Sequence, residues 1–203
     1  RTLLRMLVAR DLTLKYRGSV LGLLWSLANP LLMTITYGAV FTYVYPSRVE
    51  GFAFLMLIGV LAWTFFSLST RMATSAVVDS GSMVKNVYFP RLVLPSATVI
   101  FNFVQLLLAL AVLLPAGYLW FGHLPPWTVL LVPVALALTF AFTWGLALVM
   151  AATTALFRDV QHLLDVALQV LFWATPIVYT PDVLGPGVAP LLAQSPMAPF
   201  ITA

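Results

Sequence analysis

Apolar positions run along this chain in long blocks rather than at the spacing of a half-buried, water-facing helix or strand. Residues 18–47, 51–70, 92–157 and 166–181 contain no Lys, Arg, Asp or Glu. A helix needs about 20 apolar residues to cross the hydrocarbon of a bilayer. The third block is long enough for two crossings, and His123-Leu124-Pro125-Pro126 divides it at a turn. The pattern predicts five spanning helices, near 20–45, 51–70, 96–121, 127–156 and 163–180. The last borrows Leu163 and Leu164, with Asp165 near the interface.

The flanks read differently. In residues 1–17, Leu4, Leu7, Val8 and Leu12 share one helical face, while Arg1, Arg5, Asp11 and Lys15 lie away from it. That predicts an amphipathic helix in the membrane interface, acting as an anchor or as a partner contact. Residues 181–203 are apolar but crowded with Pro and Gly, which predicts a re-entrant segment at the outer face, covered by protein. Five spans leave the chain outside, and a sixth beyond Ala203 would bring it back in. Both ends are expected to be trimmed.

Charge sets the direction of the spans. With the N-terminus in the cytoplasm, Arg1, Arg5, Arg10, Lys15, Arg17, Arg71, Lys85, Arg91 and Arg158 fall inside and only Arg48 outside. That asymmetry follows the positive-inside rule. Trp120 and Trp127 flank the outer turn, where interfacial aromatics belong.

Composition narrows the function. Of 203 residues, 62% are hydrophobic and 8% charged, against about 25% charged in a soluble domain. The absence of Cys excludes disulfides, thiolate chemistry and Cys-ligated metals. His123 and His162 fall on opposite sides of the membrane and cannot share a metal. No zinc-protease, nucleophile-elbow or phosphate-loop motif is present, so no catalytic residue and no metal site are assigned. Asp159 and Asp165 read as solvated interface charges. No ionisable group lies deep in a predicted span, whereas ion-driven transporters usually need one there.

The spans carry neutral polarity and aromatics instead, including Trp25, Tyr37, Trp63, Thr64, Asn102, Trp144 and Trp173. Aromatic faces can stack on sugar rings. Each Trp is more often an ordinary packing or belt residue. A body with no energy source of its own needs one docked on its cytoplasmic face. The stretch "VKNVYFPRLVLP", residues 84–95, breaks the charge silence with Lys85, Asn86, Tyr88, Phe89, Pro90 and Arg91. Aromatics and Arg are typical interface anchors, but the same residues also suit a plain loop whose cations set topology.

Three blocks, "RDLTLKYRGSVLGLLWSLANPLL" (10–32), "VKNVYFPRLVLP" (84–95) and "FRDVQHLLDVALQVLFWATPIVY" (157–179), resemble the permease subunits of bacterial ABC transporters that export polysaccharides. That group serves O-antigen, teichoic acid and related lipid-linked glycans in cell-envelope biogenesis. The resemblance covers essentially the whole chain. It implies an all-α, six-helix ABC exporter fold with an N-terminal interface helix and an outer re-entrant segment, here lacking its sixth helix and part of the N-terminus. It implies a bacterial inner-membrane location, a second copy of the chain, and two copies of a separate ATPase that holds ATP and Mg. This chain would then be no enzyme and carry no cofactor. The family's coupling helix maps onto residues 79–91, which favours the partner-contact reading of Lys85, Asn86, Tyr88, Phe89, Pro90 and Arg91. Arg10 and Arg17 belong to the interface helix and its exit, and Arg158-Asp159 to the second cytoplasmic loop. Trp25, Tyr37, Trp63 and Trp173 are the channel candidates. An exporter of the same fold for a small hydrophobic drug or lipid is the alternative.

Overall fold

The computed structural model describes residues 2–16, 28, 32–33, 35–36, 39, 52–80, 90–121 and 128–175. Its elements are all helical: α1 (Thr2–Tyr16), α2 (Phe52–Asp79), α3 (Val93–Phe121), α4 (Thr128–Leu156) and α5 (Val160–Ala174). Ala28, Leu32, Met33, Ile35, Thr36 and Ala39 are also helical, within the first predicted span. The remainder of that span and the re-entrant segment lie outside the described residues.

Three helices among the described residues are long and apolar enough to cross a membrane, over Met56–Asp79, Val93–Pro115 and Val132–Leu156. The fifth predicted span differs in its bounds. Helix α5 begins at Val160 and ends at Ala174. Its 15 residues extend roughly 22 Å at 1.5 Å per residue, short of a hydrocarbon core of about 30 Å. Residues 176–180 lie outside the described residues.

Helix α2 continues nine residues past the end of its charge-free run, through Arg71 to Asp79. The chain offers no reason to stop earlier. Arg71 and Asp79 fall on the exposed side, and the first Gly or Pro after Thr70 is Gly81. Helix α3 starts three residues before the expected position, taking Pro95 into its first turn, where no intrahelical N–H bond is lost. Pro115 falls near the C-terminal end of α3 and Pro133 near the N-terminal end of α4.

Helix α2 is the centre of the packing and touches α3, α4 and α5. The main core joins Leu57, Phe65 and Ala73 of α2 with Val99, Leu106, Leu110 and Leu113 of α3 and Ala147 of α4. Ala73 and Ala147 are fully buried. Small side chains there let backbones approach, which is how helices associate where lipid competes for apolar contact. A second cluster joins Trp63 and Phe66 to Leu164 and Leu168 of α5.

Several buried hydroxyls are satisfied within their own helices. Thr70 donates to the Phe66 carbonyl at 2.7 Å, Thr74 to Thr70 at 2.6 Å, and Thr143 to Thr139 at 2.7 Å. Back-bonding of this kind lets a polar side chain sit in a medium with no water to pair it.

The apolar face of α1 packs on the chain itself. Leu7 is buried against Leu94 and Ala97 of α3, with Leu3, Leu4 and Val8 around it and Ala76 of α2 beside them. Its amphipathic pattern is thus answered by a protein surface, while Arg5, Met6 and Arg10 stay exposed.

Candidate functional site

Contacts between helices fix their directions. Going up α3 from Ser96 to Phe103, the partners on α4 go down from Trp144 to Phe140, so the two run antiparallel. On α2, Trp63 meets Phe172 and Arg71 meets Asp165, so α2 and α5 are antiparallel too. The C-terminal ends of α2 and α4 therefore share one side with the N-terminal ends of α3 and α5. Helix α1 docks at the start of α3, on that same side. The charged side chains among the described residues gather there: Arg5, Arg10, Asp11, Arg71, Asp79, Arg91, Arg158, Asp159 and Asp165. The opposite ends are apolar among the described residues.

This polar end presents the described residues among those expected to couple to a partner. Pro90 and Arg91 are exposed just before α3, their carbonyls accepting from Val93 N–H at 3.0 Å and Leu94 N–H at 3.2 Å. Arg158 and Asp159 are exposed in the turn joining α4 to α5. Asp159 caps α5 by position, without a side-chain hydrogen bond, and its charge suits the positive end of the helix. Arg10 pairs with its neighbour Asp11 through Nη2 at 2.9 Å and Nε at 3.1 Å. Lys85, Asn86, Tyr88, Phe89 and Arg17 lie outside the described residues. A cleft of about 200 Å³ opens between α1, α2 and α3, with Arg10, Asp11, Asp79 and Thr98 on its walls.

The two described channel candidates have different surroundings. Trp63 is buried, its ring 5.5 Å from both Phe66 and Phe172. Trp173 is 62% exposed and meets Phe172 edge-on at 5.5 Å. It stands with Leu163, Val166 and Val170 on the face of α5 turned from the body. Trp25 and Tyr37 lie outside the described residues. Some neutral polar groups of the spans are taken up by the fold, while the buried Ser69 and Thr154 hydroxyls have no hydrogen-bond partner among the described residues. Thr64 donates to the Val60 carbonyl at 2.7 Å, and buried Asn102 reaches Met72 Sδ at 3.8 Å. Among the described residues no three His, Asp or Glu side chains gather as a metal site would require.

Two cross-helix contacts escaped the sequence reading. Trp144 Nε1–H donates to Ser96 Oγ at 2.9 Å, and Arg71 Nε lies 3.3 Å from Asp165 Oδ1. For the second there was a usable signal, since Arg71 is the one cation of α2 and Asp165 the one carboxylate of α5.

The arrangement is a multi-pass helical body with its charges gathered at one end and no reaction centre among its described residues. The chain is similar to the O-antigen export system permease protein RfbA of Myxococcus xanthus, at 37% identity over 100% of this chain and 78% of that protein. It is also similar to two proteins of the same name from Klebsiella pneumoniae, at 26% identity over 98% of the chain and 25% over 98%, covering 77% of each. The sequence pattern described as ABC-2 type transporter matches residues 2–203. From its helical body to its charged end, this chain belongs to the ABC-2 type transporter family.

Proposed function

We propose that the chain is the membrane subunit of an ATP-driven exporter that moves a lipid-linked polysaccharide of the O-antigen type across the bacterial inner membrane. The observation that carries this reading is similarity along essentially the whole chain to relatives named as O-antigen export permeases. Those relatives are transport components and not enzymes, so ATP and Mg belong to a separate ATPase.

The polar end faces the cytoplasm and receives that ATPase. Arg91, Pro90, Arg158, Asp159 and Arg10 are accessible there, and Lys85, Asn86, Tyr88, Phe89 and Arg17 extend the same surface by sequence. A second copy of the chain completes the pathway. Trp173, exposed on α5, offers its ring to the sugar together with Trp25 and Tyr37, while Trp63 supports that wall from behind through Phe172. A neutral aromatic lining holds no fixed charge, so a long polymer slides without a deep electrostatic trap.

The test is expression of the full-length protein with the ATPase encoded beside it, in a strain deleted for its own exporter. A two-plus-two complex that hydrolyses ATP and restores surface polysaccharide is expected. A protein that binds no ATPase and leaves the glycan inside would overturn the reading.

A further inference from the structure

Helix α5 is attached to the described body along one side. Leu164 and Leu168 are buried against Trp63 and Phe66, while Leu163, Val166, Val170 and Trp173 are exposed on the other side. By contrast α2, α3 and α4 share the main core. The helix is preceded by a turn, Phe157 to Asp159, whose residues are all exposed. A few dihedral changes in such a turn can swing a whole helix.

An ion pair crosses from α5 to the body. Arg71 Nε meets Asp165 Oδ1 at 3.3 Å, with the side chains 47% and 46% exposed. Charges in apolar helices cost free energy, and a pair of aliphatic side chains would hold two helices together without that cost. Three features mark the pair as a contact that can open. Its nearest approach, Nε to Oδ1, is an ion-pair contact without a hydrogen bond, whereas Arg10 holds Asp11 through two. It is longer than the roughly 2.7–2.9 Å typical of a strong charge-assisted bond. Both partners are half-exposed, so each rehydrates on separation, whereas a fully buried pair would be strongly penalised.

We propose that Arg71 and Asp165 form a latch that holds α5 against α2 in this structure and parts when the ATPase binds ATP. They are positioning residues and act through α5. Asp165 lies six residues beyond Asp159 and eight before Trp173. The latch therefore sits between the exposed cytoplasmic turn and the exposed aromatic of the same rigid helix. Opening it converts a push at Arg158-Asp159 into displacement of Trp173. This inference rests on the exporter reading above.

Two readouts on the full complex test it. The first is charge exchange. Arg71→Gln and Asp165→Asn are each expected to lower export per ATP hydrolysed about five- to tenfold, the range of a modest coupling energy. The exchanged pair, Arg71→Asp with Asp165→Arg, is expected to recover most of that loss. Single variants that export like wild type, or an exchanged pair as defective as the singles, would overturn the latch. The second readout needs folding but not transport. The 203 residues contain no Cys, so Arg71→Cys with Asp165→Cys places one thiol pair in this part of each copy, and joining is read as the product absent from the matching single-Cys complexes. A short bifunctional thiol reagent is expected to join them efficiently without nucleotide and at least about fivefold less in the ATP-trapped complex. Equal joining in both states refutes the latch, provided the wild-type complex hydrolyses ATP and exports. If the wild-type complex does neither, the exporter reading itself has failed.

Discussion

The Trp144 indole N–H donates to the Ser96 hydroxyl oxygen at 2.9 Å, and the same hydroxyl donates to the Leu92 carbonyl at 2.7 Å. One small side chain thus ties α4 to α3 while pairing with a carbonyl of the turn before it. Side-chain hydrogen bonds between membrane helices average about 0.6 kcal/mol and reach about 1–2 kcal/mol. Ser96→Ala and Trp144→Phe should each destabilise the protein within that range. The double variant should cost less than the sum, because either change already breaks the bond. Unfolding of the full-length protein in mixed micelles reads all three values. Strict additivity would mean that the contact contributes nothing.

The packing of α2 makes a sharper prediction. Phe66 is 1% exposed, with its ring 5.5 Å from Trp63 and 5.9 Å from Phe142. Phe66→Ala should cost about 3–5 kcal/mol through the cavity it leaves. Ala147 is 0% exposed within the main core, so Ala147→Leu should cost about 1–3 kcal/mol by forcing the helices apart. Val166 is 62% exposed, and Val166→Ala should change stability by less than about 0.5 kcal/mol. Thermal unfolding of the three variants in one detergent gives the order directly. An equal effect at Val166 would place α5 deeper in the assembly than in the single chain.

The helix boundaries show what local pattern can carry. Helices α3 and α4 lie on either side of residues 122–127, where His123-Leu124-Pro125-Pro126 divides the third charge-free run in the sequence. The end of α2 was misplaced for an equally physical reason. A charge-free run measures where lipid is tolerated, whereas a helix continues until its backbone is interrupted. Arg71 is therefore a helical residue and not the start of a loop. Asp165 reads as an isolated interface charge until Arg71 is found beside it. Periodicity likewise shows that α1 has an apolar face but not that Leu94 and Ala97 cover it. Pairing between distant segments depends on tertiary geometry that no local spacing encodes. The stretch around Tyr88 and Arg91 and the aromatics of the spans stand out in the residues themselves, resemblance favours their roles and adds Arg158-Asp159, and the exposure of Arg91, Arg158 and Trp173 could be read only from the fold.

The charged end supports a test of transmission. Arg91 and Arg158 are exposed and make no ion pair among the described residues, so neither is expected to hold the fold together. Arg91→Ala and Arg158→Ala should leave thermal stability within about 0.5 kcal/mol of wild type. Loss of an interface Arg at a docking hot spot costs about 2 kcal/mol or more. Binding of the ATPase should therefore weaken roughly 30-fold for whichever residue is an anchor. Titration of the detergent-solubilised permease against purified ATPase measures this without requiring transport. Wild-type affinity in both variants and in Tyr88→Ala would remove this surface from the coupling path.

Trp63 and Trp173 separate packing from transport within one aromatic group. Trp63 is 7% exposed and joins α2 to α5 through Phe172, so Trp63→Ala should cost about 3–5 kcal/mol and lower export by loosening the helix. Trp63→Phe keeps much of the contact and should recover most of both losses. Trp173 is 62% exposed, and Trp173→Ala should leave stability within about 0.5 kcal/mol of wild type. If its ring stacks on sugar, export should nonetheless fall, while ATP hydrolysis by the complex stays near normal. Trp173→Tyr, which preserves an aromatic face with a polar edge, should restore export better than Trp173→Leu, which preserves only bulk. Equal rescue by Tyr and Leu would assign Trp173 to an apolar contact with lipid or protein and remove it from the glycan path.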